Sequence, residues 1–270
     1  MLESVSCVKK NRVWEVFYPI VVYYLISAFV FFALNIILGE AQELYMLKQA
    51  ISSGATIPAL FALWKQEKEI EDVVYGKQKC EIGNYIMQAV LAGVSMGAAG
   101  IALNNFIAMT PLVQVSEGFQ TANENFFGGG VWMQILASCV VVPIAEELLF
   151  RGIVLKRVVL LTGERMGILF SAILFGVIHM NLVQFLYAFA LGILLAVIVE
   201  KTGKVSLAVI GHATANLIAI LRASGGILDF SYQPTIAGIS FSVGMLMVGI
   251  GGAIVLSWYS HKKETENKSS

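Results

Sequence analysis

Charged residues are scarce in this sequence. They make up 13% of the 270 residues, against about a quarter in soluble domains, and the mean hydropathy is +0.77. The formal net charge is zero, so the basic surplus typical of nucleic-acid-binding proteins is missing. The composition therefore excludes an ordinary soluble domain and indicates an integral membrane protein that has the lipid bilayer, and no nucleic acid, as its partner.

Cysteine and histidine are also few. Cys7, Cys80 and Cys139 form no CxxC pair and lie far apart, which argues against a disulfide framework and against a thiolate metal site. No serine stands in a nucleophile-like motif, so covalent catalysis is disfavoured. Only three histidines are present, and two of them, His179 and His212, fall within apolar segments.

Long apolar runs follow one another along the chain. A bilayer core of about 30 Å takes roughly 20 helical residues to cross, and these runs predict an all-α polytopic membrane protein with about eight transmembrane helices. The first run lacks a small-residue cleavage site, so we expect a membrane span there rather than a cleavable signal. The predicted spans are residues 14–38, 45–64, 83–109, 131–161, 166–180, 182–199, 205–221 and 235–259. Together they form a single membrane domain over residues 1–270.

The basic residues predict the orientation. If the N-terminus is cytoplasmic, all of the 18 lysines and arginines except Lys48 and Arg222 fall on the inner side, where positive charge is favoured. Both termini are therefore predicted to be cytoplasmic. Residues 66–82, 110–130 and 261–270 are predicted to be solvated loops. The glycines of the third and eighth helices indicate close packing through small residues.

Three charged residues interrupt the fourth apolar run, in the sequence EELLFR at residues 146–151. A charge at the centre of a bilayer costs roughly 2.5 to 3.5 kcal/mol on insertion scales. Glu146, Glu147 and Arg151 are therefore expected to face a protein interior or a polar cavity.

Two further motifs supply polar groups at a similar depth. His179 ends the sequence FGVIH, and His212 and Asn216 share one helix face in HATAN. At 1.5 Å per residue, Glu146 lies roughly 15 Å from the inner interface and His212 roughly 13 Å from it. A helical hairpin that turns near Gly163 brings His179 to the height of Glu146. The spacing therefore predicts that the four polar side chains meet in one intramembrane cavity.

A carboxylate, two imidazoles and an amide can deliver water to a carbonyl. The carboxylate can accept a proton from water, a histidine can orient the water or pass the proton to a leaving amine, and a His/Asn pair can stabilise the oxyanion. Zinc is the competing chemistry, with Glu146, His179 and His212 as ligands, although the sequence has no HExxH motif. Two other hypotheses are a non-catalytic peptide-binding scaffold and a proton-coupled transporter, and the lack of inverted repeats argues against the transporter.

The three motifs in this order, EExxxR, FxxxH and HxxxN, resemble the CAAX protease and bacteriocin-processing family, also called CPBP or Abi. Its eukaryotic member is the Ras-converting prenyl endopeptidase. The resemblance covers residues 131–221, which are thereby expected to form the catalytic core.

This resemblance implies an intramembrane endopeptidase. The first glutamate of the pair and the histidine of FxxxH, here Glu146 and His179, would activate water. His212 and Asn216 would form the oxyanion site.

The resemblance also implies supporting roles for Glu147 and Arg151. The short chain is similar to the prokaryotic branch of the family, which implies a location in the prokaryotic plasma membrane. A membrane-associated peptide or protein is then the expected substrate, in peptide maturation, signalling or bacteriocin immunity. No cofactor is favoured: a metal-free, glutamate-dependent mechanism is preferred over a zinc metallopeptidase.

Overall fold

The computed structural model describes the backbone of residues 2–75 and 82–269 and the side chains of residues 13–69 and 83–262. Within these ranges the chain forms ten helices and no strand, which confirms the all-α prediction. The helices are α1 (Leu2–Leu38), α2 (Tyr45–Tyr75), α3 (Ile82–Ala108), α4 (Leu112–Val115), α5 (Glu117–Phe127), α6 (Val131–Thr162), α7 (Glu164–Val177), α8 (Leu182–Thr202), α9 (Val205–Gly225) and α10 (Ile236–Ser269).

Six of these helices, α1, α3, α6, α8, α9 and α10, are long and apolar enough to cross a membrane. Helix α7 has only 14 residues, fewer than the roughly 20 that a span takes, and α2 has a lower hydropathy because its first half carries Lys48 and several hydroxyl side chains. The polytopic membrane architecture is confirmed. The number of eight spans and the cytoplasmic termini stay predictions.

The three predicted loops contain more helix than expected, and α10 continues to Ser269 through the last of them. Helix α2 continues to Tyr75 through the charged sequence after residue 64, and α4 and α5 occupy most of residues 110–130. Ser116 caps α5 by accepting a hydrogen bond from the Phe119 amide, and Ala122 and Phe126 turn one face of this polar helix towards the protein. The prediction of loops was wrong there because polar residues can extend a helix when a cap or an apolar face supports it.

Helix α3 packs between α9 and α10 through small residues. A Cβ added at Gly97 would lie 2.6 Å from a side chain of α9, and one added at Gly249 would lie 2.8 Å from the Cβ of Ala99. Glycine therefore permits the close approach of these helices, as expected. Gly244 and Gly251 have nothing within 4 Å, so the packing role predicted for them was wrong.

Helices α1 and α2 pack on the other side of α6. The Arg157 guanidinium of α6 donates to Glu67 of α2 at 2.6 Å and to the Tyr18 hydroxyl of α1 at 3.1 Å. At the opposite end of α1, the Lys48 ammonium of α2 donates to Asn35 Oδ1 at 2.6 Å. Helix α1 is therefore hydrogen-bonded to its neighbours at two positions, Tyr18 and Asn35.

The two basic residues that departed from the charge pattern are both buried. Lys48 and Arg222 are each 3% exposed. Arg222 donates to Asn105 Oδ1 at 2.8 Å and to the Ser231 hydroxyl at 2.9 Å. These charges lie inside the protein rather than in a loop, so the rule for loop charges does not apply to them.

The side chains of seven other basic residues lie outside the described ranges: Lys9, Lys10, Arg12, Lys77, Lys79, Lys263 and Lys268. The side chains of Cys7 and Cys80 lie outside these ranges as well. Cys139 is a free thiol.

Candidate active site

Helix α6 carries the two glutamates in a short α-helical stretch between two wider, π-helical turns. The π turns are Leu136–Val141 and Leu148–Val154, and the stretch between them is Val142–Glu147. Such turns are rare and often occur at functional sites, because they free backbone groups and redirect side chains. Glu146 is 8% exposed and Glu147 is fully buried.

A proline next to the first π turn leaves one backbone carbonyl free. The Val142 amide donates to Ala137 O rather than to Ser138 O, and the following residue, Pro143, has no N–H to donate. Asn216 Nδ2 of α9 donates to the Ser138 carbonyl at 2.7 Å instead. The local sequence of α6 therefore positions the amide of the HATAN motif.

Glu147 forms the centre of a buried hydrogen-bond group. Its Oε1 accepts from Arg151 Nη1 at 3.1 Å and from His212 Nδ1 at 2.8 Å. Arg151 Nη2 also donates to Gly192 O at 3.2 Å, so the guanidinium links α6 to α8. The pairing of Glu147 with Arg151 agrees with their spacing of one turn, whereas the bond from His212 was not expected from the sequence.

The contact with Glu147 fixes the orientation of His212. Because Nδ1 faces a carboxylate, Nδ1 carries the proton and Nε2 presents its lone pair. His212 Nε2 lies 4.0 Å from Glu146 Oε2. The two adjacent glutamates thus lie on opposite sides of one imidazole ring.

His179 lies beyond the end of its helix. The prediction placed it within a span at residues 166–180, but α7 ends at Val177 and His179 stands in the turn that leads to α8. Its Nδ1 lies 2.9 Å from Phe175 O, a free carbonyl of the last helical turn. Since a carbonyl only accepts, His179 carries its proton on Nδ1 and keeps Nε2 as an acceptor.

Asn181 holds this turn in place, and the sequence analysis did not identify it. Its side chain accepts from the Gln184 amide at 2.8 Å, which caps α8, and its Nδ2 donates to His179 O at 3.0 Å. Met180, which lies between His179 and Asn181 in the sequence, has a φ of +58°. This conformation costs energy for any residue other than glycine. An asparagine directly before an apolar run is a helix-start signal that could have identified this residue.

Phe175 separates the two histidines. Its ring centroid lies 5.3 Å from that of His179 and 5.8 Å from that of His212, and both pairs meet edge to face. The Arg151 guanidinium lies over the same ring at 4.2 Å. The phenylalanine of FxxxH therefore fixes both imidazoles and covers the buried arginine.

A cavity of about 720 Å³ connects these groups, and Glu146, His179, His212 and Asn216 all line it. The four polar side chains named from the sequence are thus brought together, while Glu147 and Arg151 lie behind the cavity wall. The remaining wall is largely aromatic and apolar with a few amides, as in many ligand sites. It is contributed by α1, α2, α3, α5, α7 and α8, by Ser138 and Val142 of α6, and by Ile178 of the α7–α8 turn.

The donor set also permits a test of the zinc alternative. Both histidines use Nδ1 for an oxygen partner and keep Nε2 free, the arrangement typical of zinc-binding histidines. In the part of the chain that the structure describes, however, no three His, Cys, Asp or Glu side chains are grouped closely enough to hold a metal ion. The side chains are of the types that bind zinc, but they do not lie close enough together to hold it.

Comparison with known proteins finds a similarity in the region around the site. Residues 128–218 match the family described as "Type II CAAX prenyl endopeptidase Rce1-like". A protein of Bacillus subtilis (strain 168), "Putative membrane peptidase YdiL", is 27% identical over 146 residues, which are 53% of this chain and 59% of that protein. The match therefore covers less than two thirds of that relative. No solved structure matches the chain.

Proposed function

Since residues 128–218 carry a domain of the Rce1-like family, as the three motifs predicted, we propose that this integral membrane protein is an endopeptidase of the CPBP group. It hydrolyses a peptide bond of a membrane-associated protein or peptide with water activated by Glu146 and His179. The observation that carries the proposal is the cavity, which gathers a buried carboxylate, two imidazoles and an amide from α6, α9 and the α7–α8 turn.

The two glutamates have different roles in this proposal. Glu147 lies behind the wall, where Arg151 and His212 already engage it. Glu146 lines the cavity, and its nearest cation-forming partner in the site is His212 Nε2 at 4.0 Å. Glu146 is therefore the general base, and Glu147 is a positioning residue that orients His212.

The reaction proceeds by attack of water on the carbonyl carbon. Glu146 accepts a proton from the water while His179 Nε2, the free acceptor of that ring, holds the water in place. The new C–O bond turns the carbonyl into an oxyanion. Collapse of this intermediate breaks the C–N bond, and the proton held by the site passes to the leaving amine.

The oxyanion is stabilised by Asn216 and His212. One N–H of Asn216 is bound to Ser138 O, and the second remains to donate to the oxyanion. His212 can donate from Nε2 only after that atom gains a proton, and the 4.0 Å distance to Glu146 Oε2 offers a short route for it. Glu147 then neutralises the imidazolium.

The test compares purified wild-type protein with Glu146→Gln and His179→Ala on a library of membrane peptides. Each variant should lose about 10²- to 10⁴-fold in rate, the usual contribution of a general acid or base. Gly251→Ala, at a position with nothing within 4 Å, is the control that keeps full activity. Equal cleavage by all proteins would exclude the mechanism, and peptide binding without cleavage by the wild type would indicate a non-catalytic scaffold.

The zinc alternative has one observation in its favour, the oxygen partners on both Nδ1 atoms, although the described side chains are not grouped closely enough to hold a metal ion. Glu146, His179 and His212 would be the ligands, and zinc would supply a Lewis acid and a more acidic bound water. The metal content of active protein decides between the two mechanisms. Activity that a chelator abolishes and zinc restores supports a metallopeptidase, whereas activity of metal-free protein supports the glutamate mechanism.

We also propose that the protein lies in a prokaryotic plasma membrane with both termini in the cytoplasm. The support is the distribution of basic residues, since the two exceptions, Lys48 and Arg222, are buried in the protein. Reporter fusions at the termini test this orientation. A periplasmic signal from either fusion would contradict it.

A further inference from the structure

The first turn of α8 carries a side-chain amide, that of Gln184, next to the proposed catalytic groups. Gln184 lines the cavity together with His179. Both residues contact Asn181, whose Nδ2 lies 3.0 Å from His179 O and 2.5 Å from Gln184 Oε1. The side chain of Gln184 is therefore held close to the turn that carries His179.

The hydrogen bonds around Asn181 determine how the side-chain amide of Gln184 is oriented. A backbone N–H only donates, so the bond from the backbone nitrogen of Gln184 at 2.8 Å identifies Asn181 Oδ1 as the acceptor. Nδ2 of Asn181 is then the donor to Gln184 Oε1. Gln184 therefore turns its side-chain oxygen towards Asn181 and keeps Nε2 for another partner.

Nε2 of Gln184 is a free hydrogen-bond donor at the cavity. Among the described residues it has no partner, and it is not one of the described polar atoms that are buried without a partner. This nitrogen is therefore accessible, and the residue that carries it lines the cavity. Two N–H groups are thus available beside His179 to a bound molecule that brings an acceptor.

A peptide in this cavity brings main-chain carbonyls that need donors. An extended chain presents one carbonyl per residue whatever its side chains, and most of the cavity wall is aromatic or apolar. A buried carbonyl that loses its bonds to water and gains no other donor is costly. In the proposed mechanism the free N–H of Asn216 serves the oxyanion, so the carbonyl of a neighbouring substrate residue needs a second donor.

We propose that Gln184 Nε2 binds a main-chain carbonyl of the substrate close to the scissile bond. This inference rests on the proposed peptidase function and adds a substrate-binding residue to it. Gln184 and His179 share the contact with Asn181, and an extended chain advances about 3.3 to 3.6 Å per residue, so the carbonyl lies within about two residues of the scissile bond. Because the contact is to the main chain, it favours an extended segment and is independent of the substrate side chains.

The test measures the cleavage of quenched fluorescent peptides of apolar residues in detergent micelles. Each of four analogues replaces one peptide bond, among the two on either side of the scissile bond, with an (E)-alkene that keeps the extended geometry and removes the carbonyl. One analogue should lose about fivefold to thirtyfold in kcat/KM, the value of one such hydrogen bond. The loss should lie mainly in KM, because the contact is equally strong in the ground state and the transition state. An ester at the same bond removes only the N–H and should lose much less.

Variants at residue 184 assign the loss to the proposed donor. Gln184→Met keeps the length of the side chain and the backbone bond to Asn181, and it should no longer discriminate between the parent peptide and the alkene analogue. Gln184→Glu keeps an acceptor for Asn181 Nδ2 and removes both donors, so it should behave in the same way. Gln49→Met is the matched control. Gln49 also lines the cavity, but its Nε2 donates to Ser53 Oγ at 3.5 Å, so this variant should discriminate as the wild type does.

Three outcomes overturn the inference while leaving the peptidase function intact. They are equal kcat/KM values of the wild type for all analogues, an alkene loss that persists in Gln184→Met, and a fall in kcat of Gln184→Met on every peptide with KM unchanged. The last outcome would show that Gln184 only supports the turn that holds His179.

Binding decides the inference if the wild type cleaves no peptide. The affinities of labelled parent and alkene peptides are then measured for Glu146→Gln and for Glu146→Gln/Gln184→Met. Tighter binding of the parent peptide by the first protein alone supports the inference. Equal affinities, or a preference that both proteins share, overturn it.

Discussion

The two faces of α9 contact regions of the protein that are built in different ways. One face packs against α3 so closely that a Cβ added at Gly211 would lie 2.6 Å from the Met96 side chain. The opposite face directs His212 and Asn216 to α6, where they bond to a carboxylate and to a free carbonyl. The first region is stabilised by close apolar packing. The second is held together by directional hydrogen bonds.

The comparison separates stability from catalysis. The α3 side is regular helix throughout, and its close helix contacts cannot accommodate larger side chains without a shift of the backbone. The α6 side departs from regular geometry at two π turns, at Pro143 and at Met180. We therefore expect substitutions on the α3 side to lower stability alone, and those on the α6 side to lower the rate of each folded molecule.

The largest effect is expected from Glu147→Gln, which leaves the buried Arg151 without its counterion. Breaking a buried pair costs about 3 to 5 kcal/mol, so the unfolding midpoint in detergent should fall strongly. The rate should fall as well, because His212 loses the carboxylate that orients it. The double variant Glu147→Gln/Arg151→Met should recover stability without activity, and recovery of both would show that Glu147 does not position His212.

A second variant tests the packed region. Gly249→Val would place a Cβ 2.8 Å from the Cβ of Ala99 and 2.9 Å from the backbone nitrogen of Ala99. Helix α3 would have to move to relieve these contacts. Overpacking of this kind costs about 1 to 3 kcal/mol, with kcat of the folded protein unchanged. Gly251→Val, on the same helix with open space around it, is the matched control. A lower kcat in Gly249→Val alone would show that the two regions are coupled.

Asn181→Ala removes the cap of α8 and the bond to the His179 carbonyl. Loss of the cap costs about 1 kcal/mol, and looser placement of His179 should lower kcat several-fold. Asn181→Asp separates the two effects, because aspartate can still accept from the Gln184 amide but cannot donate to His179 O. The thermal unfolding midpoint of this variant should therefore stay close to that of the wild type while its kcat falls. Full activity of Asn181→Asp would contradict a role for the turn in catalysis.

The smallest effect is expected from Pro143→Ala. The new N–H can bond to the Ser138 carbonyl and compete with Asn216 for it, a change worth at most about 1 kcal/mol. The kcat should fall a few-fold with little change in stability. Pro58→Ala, at an exposed position within α2, is the control, and equal kcat values for the two variants would show that the carbonyl does not position Asn216.

The positions of the helices could be read from the sequence where apolar runs are bounded by clear signals. Helices α8 and α9 begin at the predicted residues 182 and 205, which follow Asn181 as a cap and a turn at Gly203 in the left-handed conformation. Boundaries failed where a helix continues through polar residues, as α2 does beyond residue 64. Hydropathy cannot detect such an extension, because it measures burial in lipid rather than helix formation.

The members of the site could be named from motif spacing, but their contacts could not. Helical arithmetic placed the carboxylate, the histidines and the amide at one depth, and the structure places all four on one cavity. Their catalytic roles stay predictions. Two features depend on how separate helices pack: the bond from His212 to Glu147 and the position of His179 beyond α7. Residue spacing along a single helix gives no information on such packing.

The π turns of α6 have a consequence for how relatives of this protein are compared. Each wide turn holds one residue more than an α turn of the same span, so it acts as a one-residue insertion absorbed within the helix. A relative with one residue fewer within 136–141 or 148–154 can form a regular turn there and keep the following residues in the same rotational position. A single alignment gap in either segment is therefore compatible with an intact Glu146 site.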